Sequence, residues 1–231
     1  RGAEQAMQAP LRPSHHAGLP LAELAPGASG RLRGVCLDSR EVQPGDLYVG
    51  LPGLRVHGAS FAAQAIERGA LAILTDAPGA GLAGAPGVPV IVVDDPRAAM
   101  GEIAADVYGR PSRSLEMFGI TGTNGKTSTA FLLEAGLRAL GRRVANIGTI
   151  GFRIDGRPVA SPRGTVTTPD APDLQGMLAA MVESGVDAVT MEVSSHALAL
   201  HRVSGIGFDV AGFTMFGQDH LDFHPTLEDY F

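Results

Sequence analysis

Cysteine is almost absent. Cys36 is the single one in 231 residues, so no disulfide can close within the chain, and a reducing, cytoplasmic setting is expected. Long apolar runs are missing too. None reaches the roughly 18 residues that a membrane span needs, and Arg1 to Pro20 lacks the apolar centre of a signal peptide. Basic residues are outnumbered, 18 Lys and Arg against 24 Asp and Glu, and they form no cluster. The formal net charge of -6 argues against nucleic acid as a partner and leaves any anionic ligand to a local site. Polarity is not high enough for disorder, because 45% of the residues are hydrophobic. A length of 231 residues allows one large or two small domains. The first residue is not Met, and a helical pattern near Thr226 has barely started at Phe231, so a trimmed start and a fragment are expected.

What is present is organised around Thr121-Gly122-Thr123-Asn124-Gly125-Lys126-Thr127-Ser128. An apolar run, Leu115–Ile120, precedes it and reads as a buried strand. A helical pattern, Thr127–Leu140, follows it and is closed by Gly141. Strand, glycine-bearing loop and helix together make a phosphate cradle. The glycines let the backbone approach an anion, and free N–H groups at the helix start point at it. Lys126 adds a point charge, and the Thr127 hydroxyl is placed for magnesium. The strict P-loop pattern needs glycine where Ile120 stands, so a Gly-x-x-Gly-Lys-Thr core remains. The plain alternative is a tight strand–helix turn.

The rest of the chain reads as two α/β units. Residues 1–30 are expected to be a mobile arm with one short helix near Pro20–Leu24. Residues 31–110 hold β-prone segments at 34–40, 42–51, 70–75 and 88–93, helices at 61–69 and 95–108, and a surface loop at 77–87. Gly109-Arg110-Pro111-Ser112 is the best boundary. Residues 111–231 alternate strand and helix: after the cradle come strands at 144–149, 186–193 and 208–214, a helix at 173–183, and a hairpin at 151–166 turning on Asp155-Gly156. Such alternation implies a mostly parallel sheet with helices on both faces and ligands outside the carboxyl ends of the strands.

Several residues at those strand ends are candidates for chemistry. Glu192 closes an apolar run, where a lone carboxylate is costly to bury. It is either a magnesium ligand beside the cradle or is satisfied by backbone N–H groups. Ser194 and Ser195 can cap the next helix and also bind a ligand. Gln218-Asp219-His220-Leu221-Asp222-Phe223-His224 is either a solvated loop or an oxygen-rich site that favours magnesium over zinc. Thr167-Thr168-Pro169-Asp170 is either a plain helix start, with Thr168 or Asp170 capping it, or part of a site at the strand ends. Arg202 is either a fork for a carboxylate or phosphate, or a surface arginine.

Taken together and in order, Leu37-Asp38-Ser39-Arg40, Thr121–Ser128, Thr167-Thr168-Pro169, Met191-Glu192-Val193-Ser194-Ser195-His196 and Asp219–His224 make the sequence resemble the Mur ligases of peptidoglycan synthesis. Within them it resembles the MurE type, which adds the third amino acid to UDP-N-acetylmuramoyl-L-alanyl-D-glutamate. The resemblance implies a UDP-sugar-binding domain over 31–110 and an incomplete P-loop ATPase domain over 111–231. Leu37, Ser39 and the loop Leu54-Arg55-Val56 match the UDP-sugar side. Thr167, Thr168, Ser194 and Arg202 match contacts to the muramoyl dipeptide. Gly122, Thr123, Asn124, Gly125, Lys126, Thr127 and Ser128 match the ATP cradle. Thr127 and Glu192 match one magnesium site and His220 a ligand of a second, with Lys126, Glu192 and His220 as the catalytic set.

The implied reaction is an ATP-dependent ligation through an acyl phosphate, with diaminopimelate or lysine as the added amino acid. The roles implied with it are in cell wall biogenesis, cell shape and cell division, in a cytoplasmic protein expected to be a monomer. No protein nucleophile is needed, so Ser194 and Ser195 are positioning groups. Two departures stand out. Met215 lies where the family usually has Asn, and a lysine that the family carbamylates is expected beyond Phe231. Residues 1–231 alone are therefore expected not to ligate. The alternative is an impaired or non-catalytic homologue that binds the UDP-muramoyl peptide. A sister ligase is disfavoured by Glu192–His196, and a GTPase switch by the absence of a strict loop and a base-specificity motif.

Overall fold

The computed structural model describes residues 11–84, 87–159, 167–220 and 223–231. The chain forms two α/β lobes. The first opens with a ribbon in which β1 (Leu19–Pro20) pairs antiparallel with β2 (Arg31–Leu32). A four-stranded parallel sheet follows, in spatial order β3 (Gly34–Cys36), β4 (Asp46–Gly50), β5 (Ala72–Thr75), β6 (Val90–Val92). β4 and β5 are buried along their whole length, as parallel strands covered on both faces must be. Their connections carry α1 (Ala62–Glu67) and α2 (Ala77–Ala83), and α3 (Pro96–Val107) leads out of the lobe.

Two expectations need correction here. The arm over residues 1–30 is packed from Leu11 onward: Leu19 and Leu21 are buried in the lobe's core, and Arg12 pairs with Asp46. Residues 1–10 lie outside the described part. The Gly/Ala/Pro-rich segment expected to be a loop contains α2. Its start is fixed by Asp76, whose carboxylate accepts from Gly79 N at 2.8 Å, and by Pro78 in the first turn. Composition favoured a loop, whereas the cap and packing against β6 make a helix.

The second lobe is a six-stranded sheet in the order β10 (Arg157–Val159), β9 (Gly151–Ile154), β8 (Val144–Gly148), β11 (Ala188–Glu192), β7 (Glu116–Thr121), β12 (Val210–Phe213). The last four run parallel, and β8, β9 and β10 meander antiparallel. The hairpin turns on Asp155 and Gly156, both with positive φ (51° and 75°), the backbone that a two-residue turn matching strand twist requires. Strand alternation points Met117, Ile147, Val189 and Met191 at α5 (Ala171–Glu183). Asn146 and Thr190 point to the opposite face, beneath α4 (Lys126–Ala139), and hydrogen-bond to each other at 2.9 Å.

α5 is apolar nearly all round, and nine of its thirteen residues are buried. Such a helix needs cover on every side. It lies between the lobes: Leu174, Met177, Leu178 and Met181 enter the second core, while Ala171 enters the first and the helix also meets α3 and β3. The short α6 (Ser195–Ala199) follows β11, and α7 (Leu227–Tyr230) follows the segment past β12. Among the described residues no helix is long and apolar enough to cross a membrane.

Candidate functional site

The cradle forms where β7 ends and α4 begins. Gly122 and Gly125 hold φ of 124° and 88°, which side chains with a Cβ resist. At Gly122 a Cβ would also strike the Thr214 hydroxyl just past β12. Gly122 to Gly125 is therefore packed against the next strand end. Thr123 N donates to Met215 O at 2.8 Å, and the Thr214 hydroxyl donates to Asn124 O at 2.6 Å. Thr123 Oγ1 accepts from Gly217 N at 2.9 Å and from the Tyr230 hydroxyl at 2.9 Å. Lys126 folds back over the loop, its Nζ donating to the carbonyls of Gly122 (2.6 Å) and Thr123 (3.1 Å). Thr127 and Ser128 lie in the first turn of α4.

Glu192 ends β11 beside the cradle and is 1% exposed. Its Oε2 accepts from the Thr127 hydroxyl at 2.9 Å and the Thr149 hydroxyl at 3.1 Å, and its Oε1 from Thr149 N at 3.0 Å. A Cβ on Gly148 would overlap Oε1, so this position admits the carboxylate because it is glycine. Side-chain hydroxyls thus share the work of satisfying Glu192 with a single backbone N–H. Sequence reasoning did not name Thr149. The signal was its place at the carboxyl end of a parallel strand, and the sheet order that sets β8 beside β11 was needed to use it.

A second group lies around the β11–α6 turn. The Thr168 hydroxyl donates to Glu192 O at 3.0 Å, and Arg202 Nη1 donates to Thr168 O at 3.0 Å. Arg202 Nε lies 3.1 Å from Asp170 Oδ1. Asp170 stands at the N-cap of α5, but its side chain makes no capping bond, contrary to expectation, and faces Arg202 instead. Ser194 caps α6, accepting from Ala197 N at 3.1 Å. Thr167 joins the set through the Thr149 hydroxyl at 3.2 Å. Arg202 is therefore partly buried between Thr168 and Asp170 rather than free on the surface.

A cavity of about 110 Å³ opens above the cradle, lined in part by Thr121, Gly122, Thr123, Lys126, Ser195 and His220. His220 has φ of 54°, and its ring packs edge-on against His196 at 4.8 Å. The neighbouring His224 is 6% exposed, with Nε2 2.9 Å from Ser195 Oγ. Leu221 and Asp222 of this motif lie outside the described residues. Among the described residues no three His, Cys, Asp or Glu side chains gather as a metal cage. What the site offers a cation is a hydroxyl–carboxylate pair, Thr127 and the buried Glu192, beside the cradle. These are hard oxygen donors of the kind magnesium takes alongside phosphate and water.

The first lobe has its own cleft of about 500 Å³, lined by Leu37, Asp38, Ser39, Arg40, Tyr48, Gly58, Phe61 and Gln64. The Ser39 hydroxyl donates to Gln64 Oε1 at 2.6 Å, and the Tyr48 hydroxyl donates to Gly58 O at 2.8 Å. Burial pushes the Tyr48 phenol up to about 12. Leu37 and Ser39 are thus placed at a cleft. Leu54, Arg55 and Val56 are exposed on the adjacent loop and do not line it.

The sequence matches two family models: the Mur ligase family, catalytic domain, over residues 31–108, and the Mur ligase middle domain over 120–231. The UDP-N-acetylmuramoyl-L-alanyl-D-glutamate–2,6-diaminopimelate ligase of Streptomyces avermitilis is 53% identical over 229 residues, which are 96% of this chain and 44% of that protein. The UDP-N-acetylmuramyl-tripeptide synthetase of Leifsonia xyli is 48% identical over 230 residues, with the same coverage of 96% and 44%. A solved UDP-N-acetylmuramoyl-L-alanyl-D-glutamate–2,6-diaminopimelate ligase aligns with TM-score 0.77 at 30% identity, over 92% of this chain and 43% of that one. The chain thus spans less than half the length of these relatives. The fold has a wider reach: a MurF ligase of Thermotoga maritima aligns with TM-score 0.59 at 22% identity, over 86% of this chain and 41% of that one. The chain belongs to the Mur ligase family, of which it carries the N-terminal and middle domains.

Proposed function

We propose that the complete protein is an ATP-dependent ligase that joins diaminopimelate to UDP-N-acetylmuramoyl-L-alanyl-D-glutamate in peptidoglycan synthesis. The observation that carries this is the Thr127–Glu192–Thr149 cluster beside a P-loop-like cradle. The names of the relatives favour diaminopimelate over lysine. A carboxylate resists attack by an amine, and phosphorylation by ATP makes it an acyl phosphate with a good leaving group. In this reading the cradle N–H groups and Lys126 hold the nucleotide phosphates, Lys126 leaving its two carbonyls to do so. Thr127 and Glu192 would hold magnesium, with His220 at a second position, and the ions supply charge neutralisation for phosphoryl transfer. Arg202, Thr168, Thr167 and Ser194 orient the dipeptide, while Leu37 and Ser39 face the UDP end, with Leu54–Val56 on the loop beside it. No side chain serves as nucleophile, so Ser194 and Ser195 position and cap.

The impaired-homologue alternative rested on Met215 and on the short length of the chain, and only the first has a structural reading. The contact of Met215 with the cradle is through the main-chain carbonyl, which any residue supplies, and its side chain is half exposed. The reading is tested by phosphate release from ATP by the complete protein. Release that requires both UDP-N-acetylmuramoyl-L-Ala-D-Glu and diaminopimelate is expected. Release with lysine alone in that role would change the amino acid. No release even after Met215→Asn would leave only a binding role.

A further inference from the structure

We infer that residues 11–16 form a strap that locks the two lobes together, and that Arg12 is a positioning residue for a ligand that reaches from one lobe to the other. This rests on the proposed substrate, whose nucleotide end would sit at the Leu37–Ser39 cleft and whose carboxylate would sit at the cradle. The strap grips the first lobe through a bidentate pair: Arg12 Nη1 donates to Asp46 Oδ1 at 2.6 Å and Nη2 to Oδ2 at 2.9 Å. The Asp46 side chain is 0% exposed and that of Arg12 12%. Oδ2 also accepts from Gln43 N at 2.9 Å, tying the pair to the turn that enters β4. Space for the fork comes from Gly34, where a Cβ would lie 2.5 Å from both Arg12 Nη1 and Asp46 Oδ1. Burial opposes the charge of Arg12, but the Asp46 hydrogen bond together with the nearby Tyr108, Asp46 and Cys36 outweighs it and holds the guanidinium above its ordinary pKa.

The same segment grips the second lobe. Leu11 packs against that lobe's core, and its carbonyl lies 3.0 Å from where a Cβ on Gly176 of α5 would stand. At the far end of α5, Glu183 accepts from Ser14 N at 2.7 Å and His15 N at 3.2 Å. His16 adds a further hold on the first lobe, its Nδ1 3.1 Å from Val107 O at the end of α3. Six residues therefore touch β4, α3 and α5. A buried ion pair is weak evidence for stability, since apolar replacements often serve as well. What the fork supplies is a single orientation. Beneath it, α3 meets the loop that carries Arg202: a Cβ on Gly101 would lie 2.6 Å from Ser204 Cβ, and one on Gly205 2.7 Å from Gly101 O. Releasing the strap lets α3 shift against that loop. A ligand held at both ends gains its second contact at an effective concentration set by the interlobe geometry. Loosening the lobes weakens that ligand alone.

The test uses the complete protein with Arg12→Ala, Arg12→Lys and Glu183→Ala. Dissociation constants are measured for UDP, for a non-hydrolysable ATP analogue and for UDP-N-acetylmuramoyl-L-Ala-D-Glu. In Arg12→Ala the spanning ligand is expected to lose about tenfold in affinity and KM to rise in step, with the two single-lobe ligands and kcat within about twofold. Arg12→Lys recovers part of the loss. Glu183→Ala, a surface change, moves the same way by less. Spin labels at Glu67→Cys and Leu132→Cys, one exposed site in each lobe, show a broadened distance distribution in Arg12→Ala. Equal weakening of UDP and the spanning ligand, or unchanged distances in the folded variant, would overturn the strap. If Arg12→Ala does not fold, Glu183→Ala with the same labels decides. If the wild type binds UDP but not the spanning ligand, the proposed function fails, and the label distances still decide the strap.

Discussion

Glu192 sets the tolerance of the site. A buried carboxylate held by two hydroxyls and one N–H has little room to move, and Gly148 marks the limit on one side. Gly148→Ala is expected to push the carboxylate off its donors and to lower kcat for phosphate release about a hundredfold, the usual result of a misplacement near 1 Å. Thr149→Val removes one hydroxyl and keeps the backbone donor. Hydrogen bonds to charged groups are worth about 1.5–3 kcal/mol, so a loss of roughly tenfold to a hundredfold is expected in the same assay. Lys126 is the chain's single lysine. An amine-reactive reagent therefore reads the cradle in the 231-residue chain, and ATP is expected to protect Lys126 from it when peptides are mapped. Thr127 and Glu192 were legible as separate candidates, because each residue type is odd at its place. Their meeting at 2.9 Å, and the part played by Thr149, depend on strands that are neighbours in space only.

At the scale of elements, α2 shows where composition misleads. Its seven residues, Ala-Pro-Gly-Ala-Gly-Leu-Ala, have poor helix propensity, and the helix hangs on its cap. Burial opposes ionisation of Asp76, but hydrogen bonds from Gly79 N and the nearby His57 outweigh it and hold the carboxyl below its ordinary value. Asp76→Ala is expected to cost about 0.5–2 kcal/mol in urea unfolding. Because the folded pKa is depressed, that contribution is complete above the unfolded value of 3.8 and is lost as the pH falls through the folded one. The gap between wild type and variant should therefore close in acid. The contact between the strap and α5 follows the same sign. Hydrogen bonds to Glu183 from Ser14 N, opposed by burial, and from His15 lower its pKa from 4.5. The hold is complete above that value and lost as the pH falls through the depressed pKa. The Ser14 and His15 amide resonances should report this by NMR, and Glu183→Gln should abolish the transition.

At the scale of the molecule, α5 decides how the lobes behave. It is covered from the second sheet on one side and from α3 and β3 on the other, so neither lobe keeps its core without it. Leu178→Ala removes a fully buried side chain and is expected to cost about 2–5 kcal/mol. Hydrogen exchange should show β5 and β8, one from each lobe, losing protection together. A variant that loosened β8 alone would mean that the lobes unfold separately.

Local pattern was enough for most of the architecture. The strand–glycine loop–helix unit, the hairpin on Asp155-Gly156, the capped and Pro-started α3 and the buried parallel strands follow from backbone and solvation constraints that act within a few residues. Alternation of strand and helix then implied a mostly parallel sheet. Tertiary structure alone decided the rest: strand order, the joining of Thr149 to Glu192, the turning of Asp170 from cap to Arg202 partner, and the capture of residues 11–16 between lobes. These depend on which distant segments become neighbours. Burial makes that choice, because a carboxylate such as Asp46 or Glu192 can leave water only where the fold brings its donors.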